Sequence, residues 1–163
     1  MRPLIHGDNF FQRIDPGSDW PHMISGGRMD IKDDPVRPEL SVRYRHSHGR
    51  EVYANRLAVV CVAYCDGIPK TVNDLTKMAG IDNIVFYTVW SYEKGAGSTL
   101  VSSMQRHIKA NQPWIKRCIT LSPKTEMAHN FHVKNGAVVL QKNHLSINYE
   151  YIYYHKIYYI PVW

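Results

Sequence analysis

Two stretches near the middle of the chain carry almost unbroken apolar character. Leu57 to Tyr64 (LAVVCVAY) is nearly all apolar and rich in β-branched residues, and Asn83 to Trp90 (NIVFYTVW) repeats the pattern. Runs of this length and composition predict strands buried on both faces. Leu40 to Arg45 (LSVRYR) alternates and predicts a strand, followed by a turn at His46–Gly49 and a further strand opening at Glu51 to Asn55. Trp114 to Leu121 and Ala137 to Gln141 predict two more strands. Leu145 to Ile160 alternates polar and aromatic residues, which predicts one or two final strands antiparallel to their neighbours.

Helical spacing appears between these strands. Thr71 to Met78 predicts a short helix, with Thr71 as cap and Gly80 as stop. Leu100, Val101, Met104 and Ile108 form one apolar stripe, which predicts a helix over Ser98 to Ala110. Ser122–Pro123 places a capping hydroxyl before a proline, so a third helix is expected to open there and to close at Gly136. Residues 1–40 are dense in proline and glycine and predict a loop-rich arm lying over the domain, with one short helix beginning in Phe10 to Ile14. Alternation of this kind predicts the α/β (α+β) class, a mixed sheet flanked by helices. The length of 163 residues suits a single domain.

Composition narrows the setting. Hydrophobic residues make up 44% and charged residues 21%, with 11 Tyr, 4 Trp and 4 Phe, which predicts an ordered globular core. Cys61, Cys65 and Cys118 form no CxxC pair and predict buried thiols in a reducing compartment. No apolar leader and no run of membrane-spanning length is apparent, so the expectation is a cytoplasmic chain without membrane partners. The net charge of +6 suits an anionic partner, whether nucleic acid or a phosphorylated cofactor, although no basic run stands out. The nine histidines offer no metal-ligand spacing; His46 and His48 share a turn with no matching Cys or carboxylate.

The chemistry concentrates at VWSYEKGAGSTL, where a buried strand meets a helix start. Gly95 and Gly97 leave the backbone bare for close approach of a ligand. Amides at the helix N-terminus, the charge of Lys94 and the hydroxyl of Ser98 at the cap would together cradle a pyrophosphate. Neither a P-loop nor a dinucleotide fingerprint is complete: no GKS or GKT follows, and Leu100 stands where a third glycine would be.

Tyr92, Glu93, Lys94, Gly95, Ala96 and Gly97 resemble the Q/R-x-x-G-x-G/A turn of the GNAT acyltransferase superfamily, with Tyr92 departing at the Gln/Arg position. A second segment, SPKTEMAHNFHVKNGA, is similar to the family's N-x-x-A-x-x-x-Y-x-x-x-G-F helix; Thr125, Ala128, His132, Gly136 and Ala137 fall on its positions, and Phe131 on the aromatic before the tyrosine. The resemblance covers about residues 50–150, and in general style the chain also resembles small acetyltransferase-like proteins of phages and marine viruses. It implies a GNAT-like acyl-CoA fold with a mostly antiparallel central sheet. It also implies acetyl-CoA or another acyl-CoA as cofactor, and transfer of the acyl group to an amine. Val89, Trp90 and Ser91 would hold the pantetheine arm through their main chain and supply the oxyanion donor. Tyr92 through its amide, Lys94, Gly95, Ala96, Gly97 and Ser98 would hold the pyrophosphate, and Thr125, Ala128 and Phe131 would line the cofactor. His132 would take the place of the tyrosine that protonates the leaving thiolate, with His129 one turn earlier. Glu51, Glu126 and Tyr87 are candidates for the general base. Ser122 lacks a nucleophile elbow.

Two further readings stay open. Tyr149, Tyr151, Tyr153, Tyr154, Tyr158 and Tyr159 interleave with polar residues, which suits base stacking and a nucleic-acid base-modifying enzyme on the same fold; the same alternation suits a covered sheet face or a homodimer interface. The departures at Tyr92 and His132 also allow a non-catalytic binder of CoA or nucleic acid.

Overall fold

The structure, a computed structural model, describes residues 11–16 and 41–152. The expected N-terminal arm is therefore outside the described residues apart from residues 11–16, as are Phe10, Trp20, Tyr153, Tyr154, Tyr158 and Tyr159. The elements run β1 (Gln12–Arg13), α1 (Val42–Ser47), β2 (Glu51–Ala54), β3 (Ala58–Cys65), α2 (Asp74–Lys77) and β4 (Asn83–Ser91). They continue as α3 (Ala96–Asn111), β5 (Arg117–Thr120), β6 (Ser122–Pro123), α4 (Glu126–Lys134), β7 (Ala137–Lys142) and β8 (Ser146–Tyr151). The strands form one sheet of order β1-β2-β3-β4-β5-β8-β6, with β7 pairing β8. β4 and β5 are parallel, from Asn83–Arg117 to Phe86–Thr120. The pairs β1–β2, β2–β3, β5–β8, β6–β8 and β7–β8 are antiparallel. No helix among the described residues is long and apolar enough to cross a membrane.

Among the described residues the chain divides into two compact units, residues 11–16 and 41–62 with 88–103, and residues 63–87 with 104–152. In the first, Val52, Val59, Val60, Cys61 and Val62 of the β2–β3 hairpin are buried with Leu100 and Val101 of α3. In the second, Ala63, Cys65, Leu75, Val85, Ile119 and Leu121 form an apolar cluster. Met104 and Ile108 of α3 and Tyr149 and Tyr151 of β8 are fully buried as well. The stripe read from helical spacing is thus the buried face of α3.

Several local expectations change. The segment expected as a strand at Leu40 to Arg45 is helical from Val42. Val42 and Arg45, three apart, both bury, and a single helical turn puts them on one face. Arg45 Nε donates to Ser41 Oγ (2.6 Å) and Nη1 to Thr88 Oγ1 (3.2 Å), so the buried guanidinium is held by hydroxyls. The helix expected to begin in Phe10 to Ile14 is instead a short edge strand, fixed because Ile14 buries and its amide donates to Val52 O at 2.8 Å. The strand expected from Trp114 starts only at Arg117; Ile115 closes a turn on Gln112 and Trp114 is exposed.

The Ser122–Pro123 signal is also overturned. These residues form a bridge strand against Ile147 and Ser146, and Ser122 Oγ lies 2.7 Å from Thr120 Oγ1 in the interior. The helix opens three residues later, where Thr125 Oγ1 accepts the Ala128 amide (3.1 Å). Gly136, with φ +98°, ends it as expected. The short helix at 71–78 narrows to one turn at Asp74–Lys77, with Thr71 Oγ1 accepting the Asp74 amide.

Candidate functional site

The glycine turn is built by three fixed hydrogen bonds. The Tyr92 amide donates to Leu57 O (2.7 Å), which ties the end of β4 to the turn before β3. The Ala96 amide donates to Glu93 O (3.1 Å), closing the turn. The Gly97 amide donates to Ser91 Oγ at 2.6 Å, so Ser91 caps α3 from six residues upstream. Gly95 has φ +83°, a left-handed conformation that favours glycine, and a Cβ added there would meet nothing within 4 Å. The peptide therefore faces open space.

This arrangement corrects two expectations. Tyr92 does not offer its amide to a ligand, because Leu57 O already takes it. Ser98 is not the cap: it lies inside the first turn of α3, and Ser91 performs that task. The Ser91 hydroxyl is thereby committed to the helix. The amides of Lys94, Gly95 and Ser98 are left without a protein acceptor among the described residues.

Lys94 and Gly95 line a cleft of about 220 Å³ together with Asn55, Leu57, Glu93, Ala96 and Thr99. Asn55 shapes the opposite wall: its Oδ1 accepts the Leu57 and Ala58 amides (2.8 and 2.9 Å) and holds the turn rigid. No acidic residue occupies the first turn of α3, so the positive end of its dipole is uncompensated within the helix. Lys94 adds a cation, while the exposed Glu93 opposes it. Ala96 and Gly97 are buried, and larger residues there would push the helix start outward. Val89, Trp90 and Ser91 lie beyond the last registered pair of β4 with β5 at Phe86–Thr120, and Val89 and Trp90 are half-buried.

The second motif lies on α4 and faces β8. Thr125 spends its hydroxyl on the cap, Ala128 and Phe131 are half-buried, and His132 is buried. His132 Nδ1 lies 2.7 Å from Tyr151 OH, and its ring packs tilted against that of Tyr149 (centroids 5.1 Å, 31°). Burial pushes the His132 imidazole down to about 4, and burial also raises the Tyr151 phenol. The pair is therefore neutral at neutral pH. His132 does not carry the imidazolium proton that a simple leaving-group acid needs. The more exposed His129 reaches Tyr149 OH with Nδ1 at 3.0 Å. Sequence spacing placed both histidines on one face but gave no sign of their tyrosine partners, which lie on a strand 19 or 20 residues away.

Tyr149 and Tyr151 are fully buried, so they offer no surface for stacking bases; they serve as the covered sheet face that the alternation also allowed. Among the base candidates, Glu51 accepts from Tyr53 OH (3.0 Å) and pairs with Arg13 (3.4 Å). Glu126 sits exposed in the first turn of α4, and Tyr87 is half-buried on β4.

No protein-family model matches the sequence, and no curated protein matches it either. Solved structures do match. A chain in the structure of the AtaT–AtaR complex bound to DNA has a TM-score of 0.61 at 14% identity, over 91% of this chain and 99% of that one. A chain in the structure of AtaTR bound with acetyl-CoA has a TM-score of 0.59 at 12% identity, over 91% and 97%. Malonyl-CoA decarboxylase from Cupriavidus metallidurans has a TM-score of 0.60 at 15% identity, over 87% of this chain and 60% of that one. At such identities the likeness is one of fold. The chain has the GNAT-like fold that its two motifs imply: a mixed, mostly antiparallel sheet flanked by helices.

Proposed function

We propose that this protein is an acyl-CoA-dependent N-acyltransferase that moves an acetyl group from acetyl-CoA to an amine. The observation that carries the reading is the turn at 92–98. The uncommitted amides of Lys94 and Gly95 and the cation of Lys94 belong to one cleft at the N-terminus of α3, which is the chemistry a pyrophosphate needs. That one protein of the same fold has been captured with acetyl-CoA supports the choice of ligand.

In this reading Lys94, Gly95 and Ser98 hold the pyrophosphate. Gly97 and Ala96 keep the helix start narrow, and the main chain of Val89, Trp90 and Ser91 takes the pantetheine arm. The acceptor amine loses a proton and attacks the thioester carbonyl carbon. A main-chain amide of the Val89–Ser91 segment stabilises the oxyanion. The C–S bond then breaks and CoA leaves as its thiolate. The role assigned to His132 changes with its neutral state. When Tyr151 OH donates to Nδ1, the remaining proton sits on Nε2. A neutral imidazole fixed in that tautomer can donate a hydrogen bond through Nε2 and does not act as an imidazolium acid.

Thiol release from acetyl-CoA, followed with a thiol-reactive dye across a panel of small and peptide amines, tests the activity. Gly95→Glu is the diagnostic variant. At φ +83° a non-glycine residue costs about 1–2 kcal/mol of backbone strain, but the added Cβ meets nothing within 4 Å and the carboxylate complements the helix dipole. The variant is used where circular dichroism shows it folded, and its charge repels a pyrophosphate. The expected result is a rise in KM for acetyl-CoA of about 30-fold or more with kcat changed by less than about threefold, the pattern of lost ground-state binding. Equal KM values for wild type and variant would remove the turn from the site.

A further inference from the structure

A second cavity lies at the β7–β8 turn. It measures about 550 Å³, and its walls are residues 70–71 on one side and residues 141–145 on the other. We infer that this cleft binds single-stranded nucleic acid, with Lys70 and Lys142 on the phosphate backbone and a base against His144 and Leu145.

The walls are preorganised. Ser146 Oγ donates to Lys70 O (2.6 Å), and the fully buried Asn148 donates Nδ2 to Pro69 O (2.8 Å). Asn143 Nδ2 donates to Asn148 Oδ1 (2.8 Å) and to Ser146 Oγ (2.9 Å), and its amide donates to Ser146 O (2.8 Å). Gln141 Nε2 donates to Asn143 Oδ1 at 2.8 Å. These bonds fix the 69–71 loop against the hairpin, so a ligand finds the cleft already formed.

The exposed groups are of two kinds. Lys70 and Lys142 are exposed and make no ion pair among the described residues, and His144 is exposed beside them. No carboxylate is among the described residues that line the cleft. The nearest one on the same loop, Asp74, already accepts the Lys70 and Thr71 amides through Oδ2. Leu145 is 75% exposed and makes an apolar platform at the rim. Cations beside the exposed His144 ring, with Leu145 as apolar contact next to it, match a ligand that carries a phosphate and a flat ring together, as a nucleotide does. The volume is within the usual range of roughly 300–1,000 Å³ for small-ligand pockets, enough to admit a nucleotide unit. A duplex hides its base faces in the stack, so the platform is of use only to unstacked bases. The chain's net charge of +6 adds long-range attraction. The inference does not depend on acyl transfer.

Fluorescence anisotropy of labelled single-stranded RNA and DNA of mixed sequence, titrated with the 163-residue chain at about 50–200 mM salt, tests it, with a hairpin duplex as comparison. Lys70→Glu/Lys142→Glu is expected to weaken single-strand binding at least tenfold. It should also reduce the slope of log K against log salt by about 1.4, since each phosphate contact on a single strand contributes about 0.7. Leu145→Ser is expected to weaken binding by about threefold with the slope unchanged. Arg43→Glu/Lys134→Glu makes the same change in net charge away from the cleft and is expected to stay within twofold of wild type. All these side chains are exposed, so each variant folds, as circular dichroism will confirm. Absence of wild-type binding, equal loss in the two double variants, or tighter binding of the duplex would each overturn the inference.

Discussion

Asn148→Leu is expected to lower the unfolding free energy by about 3 kcal/mol, although it preserves volume in the interior. Asn148 is fully buried, and its Nδ2 donates to both Pro69 O and Thr120 O at 2.8 Å. Leucine fills the same space but leaves two buried carbonyls without a donor, each costing about 1–3 kcal/mol. The loss of Oδ1 also releases Asn143 Nδ2, which keeps only Ser146 Oγ. Urea denaturation at neutral pH measures the effect. A change under about 1 kcal/mol would mean that the loop at 69–70 relaxes to water when the amide is gone. Because Asn148 holds that loop, the same variant should also weaken whatever binds at the β7–β8 turn.

His132 is expected to make stability fall as pH drops through the slightly acidic range. Burial holds its folded value near 4, against about 6.5 in an unfolded chain. Between those values the unfolded chain binds the extra proton, so the contribution is fully present above about pH 6.5. It is lost progressively as pH falls towards 4. By pH 4.5 the loss is on the order of 2–3 kcal/mol. His132→Gln keeps an acceptor for Tyr151 and cannot titrate, so its stability should be flat over the same window. Asp66 and Asp74, whose carboxyls are lowered chiefly by backbone hydrogen bonds, act in the same direction only below this window. Parallel pH profiles for wild type and variant would show that His132 titrates freely.

The strands of the core were legible because LAVVCVAY and NIVFYTVW leave no face for water. The stripe of α3 was legible because four apolar residues recur at helical spacing. The Leu40–Arg45 segment misled because alternation over six residues cannot be told from a single helical turn. What decides it is the burial of Val42 and Arg45, and Arg45 is a residue that sequence patterns place outside. Ser122–Pro123 misled for a related reason: its cap signal was genuine chemistry, but the hydroxyl pairs with Thr120 across the interior, and the equally good Thr125 captures the helix. Around the glycine turn, the place of Gly95, Gly97 and Lys94 between a strand and a helix could be read directly. The exchange of roles between Ser91 and Ser98 could not, because a hydroxyl six residues upstream caps a helix only once the turn is folded. The His–Tyr pairs and the β7–β8 cleft depend on contacts between segments far apart in sequence, which no local pattern carries.

Calorimetric titration of acetyl-CoA into the wild-type protein, beside Gly95→Glu, tests the central claim most directly. Micromolar binding that is lost in the folded variant is the predicted result and would locate the cofactor at residues 92–98. A folded wild-type protein that takes up no acetyl-CoA would contradict the acyltransferase reading, leaving the GNAT-like fold to serve another purpose.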